Sequence, residues 1–97
     1  MPIKDISKIN SDSSIIALQL IAFIVSDDER LDRFTALSGI GLSDLQDGAQ
    51  DQVFLGFMFD YALQDEALIL EFAREHEIPP QNLVNARRHF PGANDDF

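Results

Sequence analysis

The chain predicts an all-α domain, a compact bundle of about five helices plus one short helix. Three observations carry this. Apolar residues cluster at three- and four-residue spacing, and no stretch alternates convincingly over strand length. Acidic or hydroxyl-bearing breaks of the kind that cap helix starts precede the apolar runs. Gly39, Gly48, Pro79-Pro80 and Pro91-Gly92 punctuate their ends.

Taken in order, residues 1–11 hold Pro2, two Lys and Asn10 without a sustained period, and read as a flexible arm. The first helix is expected from about Ser13 to Val25, capped by Asp12 or Ser11, with a wide stripe at 16, 20, 23 and 24. Ser26-Asp27-Asp28-Glu29 reads as a capping box, in which hydroxyl and carboxylate satisfy each other's backbone amides. It opens a second helix with Leu31, Phe34 and Leu37 inward, closed by Gly39 in the left-handed conformation. Ser43-Asp44-Leu45-Gln46 is a second box, starting a short turn that Gly48 ends. Asp51 then caps a long segment to about Gln64, and Asp65 opens another to about His76. Pro80 starts a last helix that reaches about Phe90, since Pro is tolerated in a first turn. Residues 93–97 are a polar tail, so 12–92 form the single domain.

Composition narrows the function classes. The chain has 97 residues, 45% hydrophobic and 25% charged, too apolar for a disordered chain and too polar for a membrane protein. Net charge is −10, from 17 acids against 7 bases, so nucleic acid is an unlikely partner. There is no Cys, which excludes disulfides, thiol nucleophiles and thiolate metal sites. The apolar run Ile15–Val25 is too short to span a bilayer and lacks a cleavage site after it. The expectation is a cytoplasmic protein with no membrane association, no cofactor and no metal.

The chain also echoes itself. A shift of 38 residues lays 15–49 over 53–87. Asp27 then meets Asp65, Phe34 meets Phe72, Ile40 meets Ile78 and Leu45 meets Leu83, while Phe23 meets Tyr61. Two units are too few for a solenoid, which needs about three repeats to bury a continuous core. A closed bundle of two related hairpins with pseudo-twofold symmetry fits this length, and so does the coincidence of two similar hairpins.

The strings AFIVSDDERLDRFTALSGIGLSDL and FMFDYALQDEALILEFAREHEIPPQNLVNARRHFPG, Ala22–Leu45 and Phe57–Gly92, carry a resemblance. They resemble a family of small acidic all-helical proteins of unknown function from alphaproteobacteria. In that family an Asp-Pro-Glu break precedes the second helix, a Phe and a Thr-Gly-Leu follow, and a Pro-Gly closes the domain. Asp27, Glu29 and Leu31 match the break, with Asp28 in place of Pro; Phe34 matches, and Ser38-Gly39-Ile40 stands for Thr-Gly-Leu. Asp60, Asp65, Glu66, Leu68, Pro80, Ala86, Pro91 and Gly92 match the second half. The resemblance implies a helical fold and a bacterial cytoplasm, and it supplies no activity and no catalytic residue.

No catalytic constellation is legible. Asp27-Asp28-Glu29-Asp32 lacks the alternation and glycine of a calcium loop. His76 and His89 fall in no metal-binding motif, Ser13 and Ser14 have no base nearby in sequence, and no phosphate loop occurs. The chain is therefore read as non-enzymatic. Its best functional clue is the run Val53–Leu63, apolar on nearly every side, which is hard to bury completely in so small a domain. Phe54, Phe57, Met58 and Tyr61 are the candidate interface, with Asp60 as its polar determinant. Asp60 must face solvent or pair with Arg30, Arg33 or Arg74, because an unpaired buried charge is costly. The expected function is protein–protein interaction or self-association as a homodimer. The alternative is contact with nucleic acid or a phosphate ligand through Arg74, Arg87, Arg88 and His89.

Overall fold

An uninterrupted run without Gly or Pro from Ile3 to Val25 permits one long helix, and one forms. The structure, a computed structural model, describes residues 2–92; the tail read at 93–97 lies outside them. α1 (Pro2–Val25) begins at Pro2, where a missing N–H costs nothing, rather than near Ser13. Residues 2–11, read as a flexible arm, are helical, so Ser11 and Asp12 lie within the helix rather than at its start. Ala17, Leu20, Phe23 and Ile24 of α1 are buried, while Ile15 and Leu18 stay exposed.

α2 (Asp28–Ser38) starts one residue later than the first capping box requires. The Ser26 hydroxyl donates backward to the Phe23 carbonyl at 2.9 Å, finishing α1 instead of starting α2. Asp27 takes the N-cap place without a side-chain bond. Gly39 closes α2 at φ 78°, its N–H bonded to the Thr35 carbonyl, as expected of a left-handed cap. α3 (Leu42–Gly48) starts at Gly41 rather than Ser43; only half a box exists there, the Asp44 carboxylate accepting from the Gly41 N–H at 3.4 Å. Asp51 and Asp65 cap as expected, accepting from the Val53 and Leu68 amides at 3.0 and 3.2 Å. They open α4 (Gln52–Leu63) and α5 (Glu66–His76). α6 (Gln81–Arg87) follows Pro80 and stops three residues before Phe90. Among the described residues the bundle thus has four longer helices and two of seven residues each.

α1 and α4 are the central pair. α1 packs on α2, α4 and α6, and α4 packs also on α5 and α6. Phe34, Phe59, Phe72, Leu20, Ile24, Leu45, Met58 and Leu83 are the largest wholly buried side chains. No helix among the described residues is long and apolar enough to cross a membrane.

The 38-residue echo has a structural counterpart. The shift carries α2 onto α5 end for end, carries the end of α1 onto the end of α4, and brings α3 to within one residue of α6. It also exchanges two aromatic contacts. Tyr61 of α4 meets Phe34 of α2 edge to face, with centroids 4.8 Å apart at 89°. Their echo partners, Phe23 of α1 and Phe72 of α5, meet at 5.4 Å and 74°. A twofold exchange of the two halves produces such crossed pairs. α6 departs from the pattern, packing on both α1 and α4.

Candidate functional site

α2 and α4 both lie on α1 without packing extensively on each other. The gap is a cleft of about 630 Å³, room for roughly 20 waters at about 30 Å³ each. From α2 come Arg33, Leu37 and Ser38; from α4 come Phe57, Asp60, Tyr61 and Gln64, with Asp65 at the end. Phe34, wholly buried, supports the floor: Tyr61 stands on it at 4.8 Å and Phe57 at 6.5 Å. Phe54, half-buried, continues the aromatic row 6.1 Å from Phe57. Edge-to-face pairs of this kind add about 0.5–1.5 kcal/mol each beyond area burial.

The floor is open. Leu37 is 67% exposed and Phe57 38%, and Val53 continues the exposed stripe one turn before Phe57. The rim is polar. Arg33 Nε lies 3.5 Å from an Asp65 oxygen, its side chain mostly exposed. Tyr61 sits beside this pair. Burial pushes its phenol above the usual value; the Arg33 guanidinium pulls it back, and the Asp65 carboxylate adds to the rise.

Of the five residues named from the sequence, Phe57, Asp60 and Tyr61 line this groove and Phe54 flanks it. Met58 does not belong: it is wholly buried, one helical step from Phe57 and on the opposite, core-facing side of α4. Leu37, expected inward, faces the groove instead. At about 100° per residue it lies about 60° past Phe34, on the side away from Leu31, so Leu31 packs partly buried against the core and Leu37 is left open. Gln64 carried no signal in the sequence, and Arg33 entered only as a candidate partner for Asp60, because a charge or amide on a helix face is ordinarily solvated.

Asp60 is both half-exposed and paired, and its partner is Arg87 rather than Arg30, Arg33 or Arg74. Arg87 Nε and Nη2 donate to the two Asp60 oxygens at 2.7 and 3.1 Å. Its Nη1 donates to the carbonyls of Phe90 and Pro91, both at 3.1 Å. These bonds tie the middle of α4 to the chain beyond α6 and satisfy carbonyls where α6 stops. Gly56 makes the room. A Cβ there would lie 3.0 Å from both Nη1 and the Pro91 carbonyl oxygen. Arg30 and Arg33 are engaged elsewhere, on Glu71 and Asp65.

The four cations of the alternative reading do not form a cluster. Arg87 is buried and spends its guanidinium on four internal bonds. Arg74 stands on α5, whose main packing partner is α4, while Arg88 and His89 are exposed beyond α6. His89 instead shares a small cleft of about 320 Å³ with Ser13, Ser14, Gln52 and Phe90. Sequence distance hid that juxtaposition, and among the described residues no hydrogen bond joins His89 to either serine. Among the described residues, no group of three or more acids and histidines is placed to hold a metal ion.

A family model described as "Protein of unknown function (DUF3572)" matches residues 10–93. No curated protein and no solved structure matches the chain.

Proposed function

The chain belongs to the DUF3572 family, and from the groove between α2 and α4 we propose that this member is a small cytoplasmic interaction module that works by docking rather than by catalysis. One observation carries the reading: Leu37 and Phe57 stand exposed beside Tyr61 over a buried aromatic floor, framed by Arg33, Asp60 and Asp65. An apolar centre with a polar rim is the anatomy of a protein-binding surface. Exposed leucine and phenylalanine side by side cost solubility that a partner recovers.

A photo-crosslinking residue at position 37, expressed in the native host, tests this. The same residue at Leu70, exposed and apolar but on α5, is the control. Docking predicts a discrete cross-linked product from position 37 that is absent from position 70. Identical products, or none, from the two positions would refute it.

A further inference from the structure

Resting on that reading of the groove, the internal echo indicates what fills it. The counterpart of the Tyr61–Phe34 pair, Phe23–Phe72, is covered within the chain. Arg30 lays its guanidinium 3.7 Å over the Phe23 ring and reaches Asp27 and Glu71 at 3.8 and 3.5 Å. His76 packs against both rings. Phe23 is 3% exposed as a result. At the groove, the position equivalent to Arg30 is Leu68, which turns into the core. Arg33 pairs with Asp65 at the rim, and Leu37 and Phe57 remain uncovered. The chain covers one aromatic pair with a carboxylate-bound cation and leaves the other without that cover.

Charge points the same way. Of the carboxylates that line the groove, Asp65 is paired with Arg33, and Asp60 keeps half its surface open although Arg87 holds it from behind. The whole chain carries −10, so a second copy and an anionic membrane are both repelled. We propose that the groove takes a basic amphipathic helix. Its apolar residues at three- and four-residue spacing sit on Leu37, Phe57 and Tyr61, and an Arg or Lys among them lies over the aromatic rings and against the exposed edge of the Asp60 carboxylate.

Three model helices test this, none containing Tyr or Trp. One has Leu on one face and Arg on the flanks, one replaces Arg by Glu, and one keeps Arg but replaces Leu by Ser. The chain has one Tyr and no Trp, so Tyr61 fluorescence reports from inside the groove without labelling. The Leu/Arg helix is expected to bind at least about tenfold tighter than either control, since like charges across an interface are strongly disfavoured. Its affinity should fall with added salt and fall again, about tenfold, in Leu37→Ser, which alters an exposed residue and leaves the core intact. Equal binding of the Leu/Glu helix, still lost in Leu37→Ser, would overturn the basic partner and keep the groove. Binding indifferent to Leu37→Ser would overturn both. A dimer by sedimentation that Leu37→Ser dissociates would place a second copy in the groove and overturn the proposal, as would a monomer that binds none of the three.

Discussion

Removing Arg87 should destabilise the fold more than removing Asp60, although the two form one ion pair. The side chains differ in burial, 10% exposed for Arg87 and 50% for Asp60. Arg87→Ala strips donors from the Phe90 and Pro91 carbonyls as well as from Asp60, and empties the space that Gly56 leaves open. Breaking a buried pair costs about 3–5 kcal/mol, and this variant belongs in that range. Asp60→Ala leaves Arg87 on its two carbonyls, with water reaching the vacated side. One lost charge-assisted interaction near solvent costs about 1–3 kcal/mol. A chain of this size has about 5–15 kcal/mol in total, so Arg87→Ala should still fold, but marginally.

Urea unfolding followed by circular dichroism measures both. With a slope of about 1 kcal/mol per molar urea, the Arg87→Ala midpoint should fall by about 3 M or more and that of Asp60→Ala by about 1–3 M. The double variant should cost no more than Arg87→Ala alone, because the Asp60 interaction is already gone. Additive losses, or an Asp60→Ala loss equal to that of Arg87→Ala, would refute the account of Arg87 as the buried hub. Arg87→Lys should recover little, since an ammonium cannot hold a carboxylate in a fork and reach two carbonyls at once.

Four further outcomes follow from the geometry. Tyr61, with its phenol raised by burial, should titrate above its unfolded value of about 10; the stability it contributes is fully present below that pH and is lost as pH rises through the folded pKa. Absorbance at 295 nm should show this, and Arg33→Ala should move the transition higher still, because the guanidinium holds it down. Phe34→Ala should cost about 3–5 kcal/mol and Phe57→Ala clearly less, because the first side chain is wholly buried and the second is over a third exposed; equal losses in urea unfolding would mean the groove is closed in solution. Gly39→Ala should cost about 1 kcal/mol through its left-handed backbone alone, having nothing within 4 Å. Gly48→Ala should be rescued in part by Phe54→Ala, because its Cβ would collide with the Phe54 ring.

Much of the helical framework was legible because it rests on local chemistry. Asp51, Asp65 and Gly39 end or begin helices through bonds within three or four residues of themselves, and the sequence shows such bonds directly. Ser26 misled because its hydroxyl had two helices to serve, and the carbonyl behind it won. The start of α1 was missed because nothing in residues 3–12 favours a helix strongly, yet nothing breaks one. Asp60 drew attention as a charge in an apolar run, but its partner lies 27 residues away on another helix and no spacing encodes that. Leu37 and Met58 went to the wrong sides for one reason. Periodicity fixes angles around a helix, and only the packing of neighbours decides which angles are covered.

The two halves differ most informatively where they line the crossed aromatic pairs. Position 30 is Arg where its echo, 68, is Leu; position 19 is Gln where 57 is Phe; position 22 is Ala where 60 is Asp; and position 75 is Glu where 37 is Leu. Three of the four replace a polar residue by a large apolar one at the groove, and the fourth adds the carboxylate of Asp60. In one half the cation is supplied internally and the surrounding positions are polar or small, so Phe23 is covered by its own chain. In the other Arg33 stands beside the Tyr61 phenol rather than over a ring, Leu37, Phe57 and Leu68 are large and apolar, and a carboxylate is held at the edge by Arg87. The buried Arg87 also bears on the groove, because it anchors both Asp60 oxygens from behind while half of the Asp60 side chain stays exposed. The hub that stabilises the end of α6 and the rim that would receive a basic partner therefore share one carboxylate.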